Sequence, residues 1–304
     1  WERPVSVELI RPEDNGGFQL DAGIRVAGGD YIRGLYNYRT TSPPVGKYSF
    51  RLYFRGDYGP GRLNYPIFPA STLDSYNTLH LRAGMNDNTN PFIKDEFIRA
   101  LSLDVGIPAC HGTFVNLFLN GVYKGLYNPT ERVDDDFLQA YHGGGELWDV
   151  MGPSNLVIRG DATAWNQLRT AVRKDLTVTA NYNDVAARMD LPNFIDYLLP
   201  LIWADNDDWP HNNTRAAREK KPGAKFRFYP WDAEFAFTAH AVTYDTIATT
   251  LSSLSPPWGS TDYQAMFNSL KKTPEFKLLF ADRVHRAFFN DGPLTAARIR
   301  ARYN

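Results

Sequence analysis

The chain lacks several residue patterns that mark common classes of protein. It has one cysteine, Cys110, so an internal disulfide framework is excluded. Its 33 Lys and Arg residues are balanced by 34 Asp and Glu residues. This balance argues against nucleic-acid binding as the main function, because surfaces that bind phosphate backbones carry a basic excess. No apolar run reaches about 18 residues, so we expect no membrane span. The six histidines are scattered without the spacing of zinc ligands.

The length of 304 residues allows a large buried core, and it suits one bilobal unit or two small domains. The sequence has no internal repeat and no low-complexity segment. It begins at Trp1 without a charged and then apolar leader, so we expect it to be a processed or excised portion of a longer protein.

Acidic residues are concentrated in two turns. An apolar helix predicted at 193–204 runs directly into an acidic loop that contains Asp208, and a charged linker follows. A short strand predicted at 225–229 then ends beside Asp232 and Glu234. Carboxylates that crowd together repel one another unless a cation or a shared proton relieves them. Where these two turns meet, the sequence therefore predicts a metal site or an acid–base pair.

The spacing of the polar residues points to one chemistry. Asn213 lies five positions after Asp208, which is the D-x-x-x-x-N interval of the protein-kinase catalytic loop, and Asp232 follows a strand as the kinase metal-binding Asp does. In a kinase the first Asp orients or deprotonates the acceptor hydroxyl, while the Asn and the second Asp hold magnesium. Taken alone, the interval also fits a turn rich in Asp and Asn whose carboxylates are solvated.

Two longer motifs surround these residues, N-D-D-W-P-H-N-N at 206–213 and F-R-F-Y-P-W-D-A-E-F-A-F at 226–237. Together they resemble the signature of the spore coat protein H (CotH) kinase family, which contains atypical, secreted or surface-associated relatives of protein kinases. Glu234 departs from an Asp that is common at this place in the family, but it keeps a carboxylate.

Earlier segments resemble the same family. Lys47 opens a K-x-x-F-R-L pattern, and Arg82 lies in a block that departs from the family at Ala83. Two β-rich runs flank Asn120-Gly121, the strongest signal for a tight hairpin, and a family-like segment with Glu131 follows.

The resemblance implies the roles of these residues. Lys47 is expected to reach the nucleotide phosphates and to pair with Asp95 or Glu96, while Asn213, Asp232 and Glu234 are expected to hold the metal. The resemblance of the other segments implies four further residues in contact with the nucleotide: Arg82, Tyr127, Glu131 and Phe226. Plainer interpretations stay open: a solvated edge lysine for Lys47, a packed hairpin residue for Tyr127, and a buried strand aromatic for Phe226.

The resemblance also implies an α+β, bilobal, protein-kinase-like fold. We expect a β-rich N-terminal lobe over 1–133 and a mainly helical C-terminal lobe over 134–304. Residues 1–60 alternate as antiparallel strands do, and helices are predicted at 263–271 and 274–289. The Ser-, Thr- and Pro-rich stretch 238–260 takes the place of an activation segment and is predicted to be a surface loop.

The resulting functional hypothesis is an ATP- and Mg²⁺-dependent kinase, with Mn²⁺ or Ca²⁺ as other candidate cations. Its partners would be a nucleotide and a secreted or surface protein, and the family resemblance places it outside the cell or at the cell surface. Two alternatives stay open. The first is a kinase-like binding or structural module with little turnover, and the second is a hydrolase that uses Asp208 and Glu234 as a carboxylate pair.

Overall fold

A computed structural model describes residues 1–28, 47–84, 92–145, 147–238, 242–253 and 261–304. The predicted α+β class is confirmed. The chain divides into two compact units, and each unit draws on two stretches of sequence. The first contains Trp1–Phe92 and Cys110–Arg132, and the second contains Ile93–Ala109 and Val133–Asn304. The functional division into lobes at residue 133 stays a prediction.

The described strands of the first unit are β1 (Arg3–Arg11), β2 (Gly16–Ala27), β3 (Ser49–Tyr53), β4 (Leu63–Asn64), β5 (Ser75–Tyr76), β6 (Thr78–Arg82), β7 (Val115–Leu119) and β8 (Val122–Thr130). Six of them form a sheet in the order β1-β2-β3-β6-β8-β7, in which every pair of neighbours is antiparallel. The other two, β4 and β5, pair with each other as a separate ribbon. The antiparallel β region predicted within residues 1–60 is confirmed by β1, β2 and β3.

The hairpin between β7 and β8 forms where Asn120-Gly121 predicts it. Leu119 pairs with Val122, and the two turn residues have φ values of 49° and 78°. Positive φ at both central positions defines the turn whose twist matches that of its strands. This part of the fold is therefore set by two adjacent residues.

The strands of the second unit are β9 (Trp148–Met151), β10 (Val157–Arg159), β11 (Thr214–Glu219) and β12 (Arg227–Pro230). They form a four-stranded sheet in the order β10-β9-β11-β12, and helices pack against it. Its α-helices are α1 (Lys94–Val105), α2 (Asp135–His142), α3 (Thr163–Val172), α4 (Thr179–Arg188), α5 (Leu191–Trp203), α6 (Asp262–Leu270), α7 (Pro274–Phe288) and α8 (Ala296–Tyr303). No helix in the described ranges has the length and apolar character needed to cross a bilayer.

Helix α5 is the central element of this unit's core. Asp190 caps its start by accepting a hydrogen bond from the Asn193 backbone amide at 3.1 Å. The Asn193 side chain then accepts from the Phe228 amide at 2.6 Å, which ties the helix to β12. Helix α5 ends immediately before the acidic loop, as the sequence predicts. The helix therefore fixes the point from which that loop starts.

One expectation about this region is wrong. The charged linker predicted after the acidic loop is strand β11, which lies between β9 and β12 in the sheet. Its sequence, T-R-A-A-R-E, has little intrinsic β-propensity. The strand nevertheless forms, because the two neighbouring strands supply both sets of backbone partners, and Ala216 and Ala217 are buried in it. Tertiary pairing overrides local preference here.

A polar cluster links α2 to the sheet. Arg227 Nη1 lies 3.1 Å from His142 Nδ1, and the Tyr229 hydroxyl lies 2.8 Å from His142 Nε2. Because a guanidinium only donates, Nδ1 accepts and Nε2 carries the proton. Burial first and Arg227 second lower the pKa of His142 to about 4, although Asp190 opposes the shift. His142 is thus held in its neutral form.

This cluster predicts a specific dependence of stability on pH. The unfolded chain protonates His142 near its ordinary pKa of 6.5, whereas the folded chain does so only near about 4. Between these values the unfolded state binds more protons, so the free energy of unfolding falls as the pH is lowered from about 6.5 to about 4. Urea unfolding at steps across this range should show a shallower pH slope for His142→Gln than for the wild type.

The exposed His285 offers the control, because His285→Gln removes a histidine without touching the cluster. It should keep the wild-type slope. If His142→Gln and the wild type gave the same slope, the neutral state of His142 would not contribute to folding.

Candidate active site

The two acidic turns of the second unit come together as the sequence predicts. Strand β11 pairs with β12 in a register that sets Thr214 opposite Pro230. Asn213 precedes the first of these residues and Asp232 lies two positions after the second, so both leave the sheet at the same end. Beyond the strands, the Asp207 amide donates to the Phe235 carbonyl at 3.3 Å. The turns are therefore held together by backbone hydrogen bonds as well as by the hairpin.

A second backbone hydrogen bond joins the end of the 231–237 turn to the end of helix α5. The Phe237 amide donates to the carbonyl of Ala204 at 2.7 Å, just after helix α5 ends. Three polar residues of the turns have left-handed backbone conformations: Asp205, Asn213 and Asp232, with φ values of 46°, 53° and 57°. Asp and Asn adopt this region far more readily than β-branched residues do. Asp and Asn at these positions therefore suit the left-handed backbone, whether or not their side chains also take part in chemistry.

The Asp208 carboxylate is the centre of a small hydrogen-bond network. Asn213 Nδ2 donates to its Oδ2 at 2.9 Å, and Asn212 Nδ2 donates to its Oδ1 at 3.0 Å. His211 Nε2 lies 3.1 Å from the same Oδ1. With 28 % of its side chain exposed, Asp208 stays accessible from solvent while its orientation is fixed.

His211 acts in this network as a neutral donor. Burial lowers its pKa, and this outweighs the opposing attraction of the Asp208 charge. A neutral imidazole carries a single N–H, and here Nε2–H faces the carboxylate. The contact is therefore a hydrogen bond at neutral pH rather than an ion pair.

The position of the Asn213 amide matters for cation binding. Its nitrogen is turned towards Asp208, so its carbonyl oxygen points to the other side. That oxygen is the atom a magnesium ion would take. Asp232 is partly buried, and Glu234 is 7 % exposed in the same turn. The three predicted metal-binding residues thus lie on two turns that the fold joins.

Two tryptophans of the motifs, Trp209 and Trp231, support the turns. Trp209 is buried and donates from Nε1 to the Tyr197 hydroxyl on helix α5 at 2.7 Å. The guanidinium of Arg215 lies over the Trp231 ring at 4.4 Å, a cation–π distance. Both contacts fix a loop residue next to an acid to an element of regular structure.

The stretch expected as an activation segment is partly anchored. Within its described part, Thr246 is buried and donates to Asp205 Oδ1 at 3.0 Å, and Leu251 lies in the core. The prediction of a surface loop is wrong for these residues, because the carboxylate at the end of α5 holds Thr246 inside. Residues 239–241 and 254–260 of the stretch lie outside the described residues.

One contact of helix α1 with the turns has no signal in the sequence. Asp95 Oδ1 accepts a hydrogen bond at 2.8 Å from the amide of Ala233, the residue between Asp232 and Glu234. Asp95 Oδ2 accepts from Arg99 Nε at 3.0 Å. The four-residue spacing of Asp95 and Arg99 is a local signal for an ion pair, but nothing in it indicates Ala233 as a partner.

Comparison with known proteins agrees with these motifs. A family model described as CotH kinase protein matches residues 32–304, which is most of the chain. The chain belongs to the CotH kinase family. Membership indicates a kinase-like function and confirms the resemblance found in the sequence. No curated protein matches the chain significantly.

The lysine of the CotH pattern lies in the first unit. Lys47 comes two residues before β3, and its ammonium donates to the Leu126 carbonyl at 2.5 Å. It also lies over the rings of Phe92 and Tyr127, at 4.4 Å and 4.8 Å from their centres. A solvated edge lysine, the plainer alternative, is therefore not what the structure has. The contact of Lys47 with phosphate and its pairing with Asp95 or Glu96 stay predictions.

The other CotH nucleotide candidates of the first unit are buried. Tyr127 is 1 % exposed, and its hydroxyl donates to the Tyr48 carbonyl at 2.8 Å. The Glu131 carboxylate accepts from the His111 amide at 2.7 Å and lies 3.0 Å from the His111 ring nitrogen Nδ1. Arg82 ends strand β6 with 7 % exposure. These residues lie on or directly after the inner strands β6 and β8 of the sheet, and their contacts with a nucleotide stay predictions.

Phe226 lies in the core of the second unit. Its side chain is 1 % exposed, and its ring meets that of Trp165 edge-on at 5.0 Å. Its backbone bonds to both Arg188 and Asp190, next to β12. Of the two interpretations that the sequence left open for Phe226, a nucleotide contact and a buried aromatic residue, these contacts match the buried aromatic residue.

The placement of Phe226 predicts a large effect on stability. Phe226→Ala should lower the free energy of unfolding by about 3–5 kcal/mol, because it removes a fully buried ring and leaves a cavity. Chemical denaturation followed by tryptophan fluorescence measures this change. Phe289→Ala is the matched control: that ring is 56 % exposed, so its loss should cost no more than about 0.5 kcal/mol. A Phe226→Ala protein as stable as the control would contradict a core role.

Proposed function

We propose that this CotH family member is an ATP- and magnesium-dependent phosphotransferase that phosphorylates hydroxyl side chains of secreted or surface proteins. The observation that carries the proposal is the position of Asn213. Its amide nitrogen bonds to Asp208, and it shares one end of the β11–β12 hairpin with Asp232. Asp208, the residue proposed to serve the acceptor, and Asn213 and Asp232, two residues proposed to bind the cation, thus lie on two turns that hydrogen bonds join.

The side chains of the two turns fit a magnesium ion. An amide oxygen from Asn213 and carboxylate oxygens from Asp232 and Glu234 form a hard, all-oxygen donor set, which magnesium prefers. In the described part of the chain, no group of three or more His, Cys, Asp and Glu side chains is arranged to hold a metal. The proposed set contains two acids, and nucleotide phosphates would complete the coordination, as is usual for magnesium in kinases. When bound, the ion would neutralise charge on the transferring phosphoryl group.

Asp208 would serve the acceptor. The donors from Asn212, Asn213 and His211 hold its carboxylate in one orientation, yet part of it stays exposed to solvent. It would accept the proton of the incoming hydroxyl as the new bond from that oxygen to the γ-phosphorus forms. The bond between the γ-phosphorus and the bridging oxygen breaks in the same transfer, and ADP leaves with the bonding electrons. Positioning and charge neutralisation supply most of the catalysis in such reactions.

The remaining roles follow the kinase order along the chain. Lys47 would contact the phosphates, and Arg82, Tyr127 and Glu131 would shape the nucleotide site. Phe226 is assigned no contact with the nucleotide, because its ring lies in the core with 1 % exposure. The proposed bilobal, kinase-like fold assigns Lys47 to the β-rich lobe and Asp208 to the helical lobe. The nature of the family favours a secreted or surface location and a protein acceptor.

The metal-binding part of the proposal predicts an effect on nucleotide binding. ATP with Mg²⁺ should raise the midpoint of thermal unfolding of the wild type, since a ligand at a hundred times its Kd adds about 2.7 kcal/mol of stability. Asp232→Asn should abolish this rise, because it removes the charge that faces the ion. Differential scanning calorimetry with and without Mg²⁺ measures both effects. Absence of stabilisation of the wild type by any nucleotide with Mg²⁺, Mn²⁺ or Ca²⁺ would refute the proposal.

The catalytic part predicts an effect on transfer alone. Asp208→Ala should reduce phosphate transfer by about 100- to 10,000-fold, as expected for loss of a general base, while nucleotide binding is retained. Incubation with labelled ATP and Mg²⁺, first for self-labelling and then with a panel of proteins, measures transfer. Asp184→Asn is the control, because Asp184 is a surface acid on α4 paired with Arg188 at 2.7 Å. Its transfer rate should be that of the wild type.

The alternatives give different results in the same assays. Nucleotide binding without transfer to any acceptor would favour a binding or structural module. Full activity of a Lys47→Met protein in hydrolysis would favour the carboxylate pair of a hydrolase, because that chemistry does not use Lys47.

A further inference from the structure

The Asp95 carboxylate on helix α1 lies between a cation and a backbone amide. Its Oδ2 accepts from Arg99 Nε at 3.0 Å, and its Oδ1 accepts from the Ala233 amide at 2.8 Å. The three residues are almost completely buried, with exposures of 5 % for Asp95, 3 % for Arg99 and 0 % for Ala233. One side chain thus joins a helix to the turn that carries Asp232 and Glu234.

Burial makes this contact directional and difficult to replace. A buried backbone amide needs a hydrogen-bond partner, and water does not reach Ala233. A carboxylate is a strong acceptor for such an amide because the bond is charge-assisted. Arg99 neutralises the carboxylate and so makes its burial tolerable. The ion pair therefore maintains a charged acceptor in one fixed place.

Helix α1 provides a rigid base for this acceptor. Ile98, Leu101 and Val105 lie on its buried side and belong to the core of the second unit. Arg99 is fixed further by Glu96, whose carboxylate accepts from Arg99 Nη2 at 2.8 Å. Asp95 therefore has few ways to move relative to the sheet that ends at β12.

The amide that Asp95 holds is the one that decides where the adjacent acids point. Asp232 has a φ of 57°, so its backbone lies in the left-handed region directly before Ala233. If the Ala233 amide rotated, the carboxylates on either side of it would rotate as well. Fixing this one N–H therefore fixes two side chains of the proposed cation site.

We propose that Asp95 is a positioning residue that sets the geometry of the cation site by holding the Ala233 amide. This inference rests on the proposed function for its consequence, but the hold itself is independent of any ligand. Asp95 would thus hold the turn that is proposed to bind the metal, whether or not it also pairs with Lys47. Residues that orient metal ligands in this way change metal affinity by about 10- to 100-fold when they are lost.

The test compares Asp95→Ala with Asp196→Ala. Asp196 is a matched control, because it is also 5 % exposed and also binds an arginine, accepting from Arg283 Nε at 2.7 Å between helices α5 and α7. Both substitutions remove a buried acid from an ion pair in the same unit. The difference between the two acids is that Asp95 also accepts from a backbone amide of residues 231–237, whereas the contact described for Asp196 is with Arg283.

The first measurement is amide hydrogen exchange of the peptide that covers 231–237, made without nucleotide or metal. Exchange should become faster in Asp95→Ala and stay at the wild-type rate in Asp196→Ala. The second measurement is the apparent Kd for Mg²⁺ in the presence of saturating ATP. It should rise by about 10- to 100-fold in Asp95→Ala, while the transfer rate at saturating Mg²⁺ recovers towards that of the wild type.

Wild-type exchange and wild-type Mg²⁺ affinity in Asp95→Ala would overturn the inference, and so would equal effects in the two variants. If the wild type bound no Mg²⁺–nucleotide, the proposed function would fail, whereas the exchange result would still decide whether Asp95 holds the turn. Should Asp95→Ala not fold, Asp95→Asn replaces it, because the amide is a weaker acceptor. Unchanged exchange and affinity in that variant would also overturn the inference.

Discussion

The pairing of β11 with β12 is the constraint on which the rest of the site depends. With Thr214 opposite Pro230, the residues just outside each strand meet at one end of the sheet. Side chains alternate along a strand with a period of two, so a slip of one residue would turn every side chain of β12 to the opposite face. Buried Phe228, which packs against Phe194 on helix α5, makes such a slip costly. The core thereby fixes the register, and the register fixes the positions of the acids.

Around this hairpin, the polar loop is fixed at several points to elements of regular structure. Asn193 links α5 to β12, Trp209 bonds to Tyr197, and Thr246 bonds to Asp205. Binding and catalytic groups need to be held to within fractions of an ångström, and loops do not achieve this by themselves. The CotH motif residues that carry no obvious chemistry, the tryptophans in particular, supply part of this support.

Four acids of the second unit, Asp95, Asp205, Asp208 and Asp232, fall into two groups that look alike in the sequence. Asp95 and Asp205 are buried and bonded to other parts of the unit, so they hold backbone or side chains in place. Asp208 and Asp232 are partly exposed at the junction of the turns. The sequence alone does not distinguish an aspartate of the first group from an aspartate of the second. Burial and partners distinguish the two groups, and both come from folding.

The sequence by itself determined the features that depend on close neighbours. The Asn120-Gly121 turn and the helices α6 and α7 follow from residues within a few positions of one another. The CotH motifs likewise indicated the family, because family signatures are local patterns. The D-x-x-x-x-N interval and the following strand also predicted that the two acidic turns meet.

Tertiary structure alone decided which partners these residues take. The amide that Asp95 holds lies 138 positions away along the chain, and Lys47 reaches Leu126 across 79 positions. The weak strand β11 exists because β9 and β12 flank it, and Phe226 lies inside because Trp165 covers it. Contacts of this kind form only when the whole core excludes water from both partners at once. No short window of sequence contains that information.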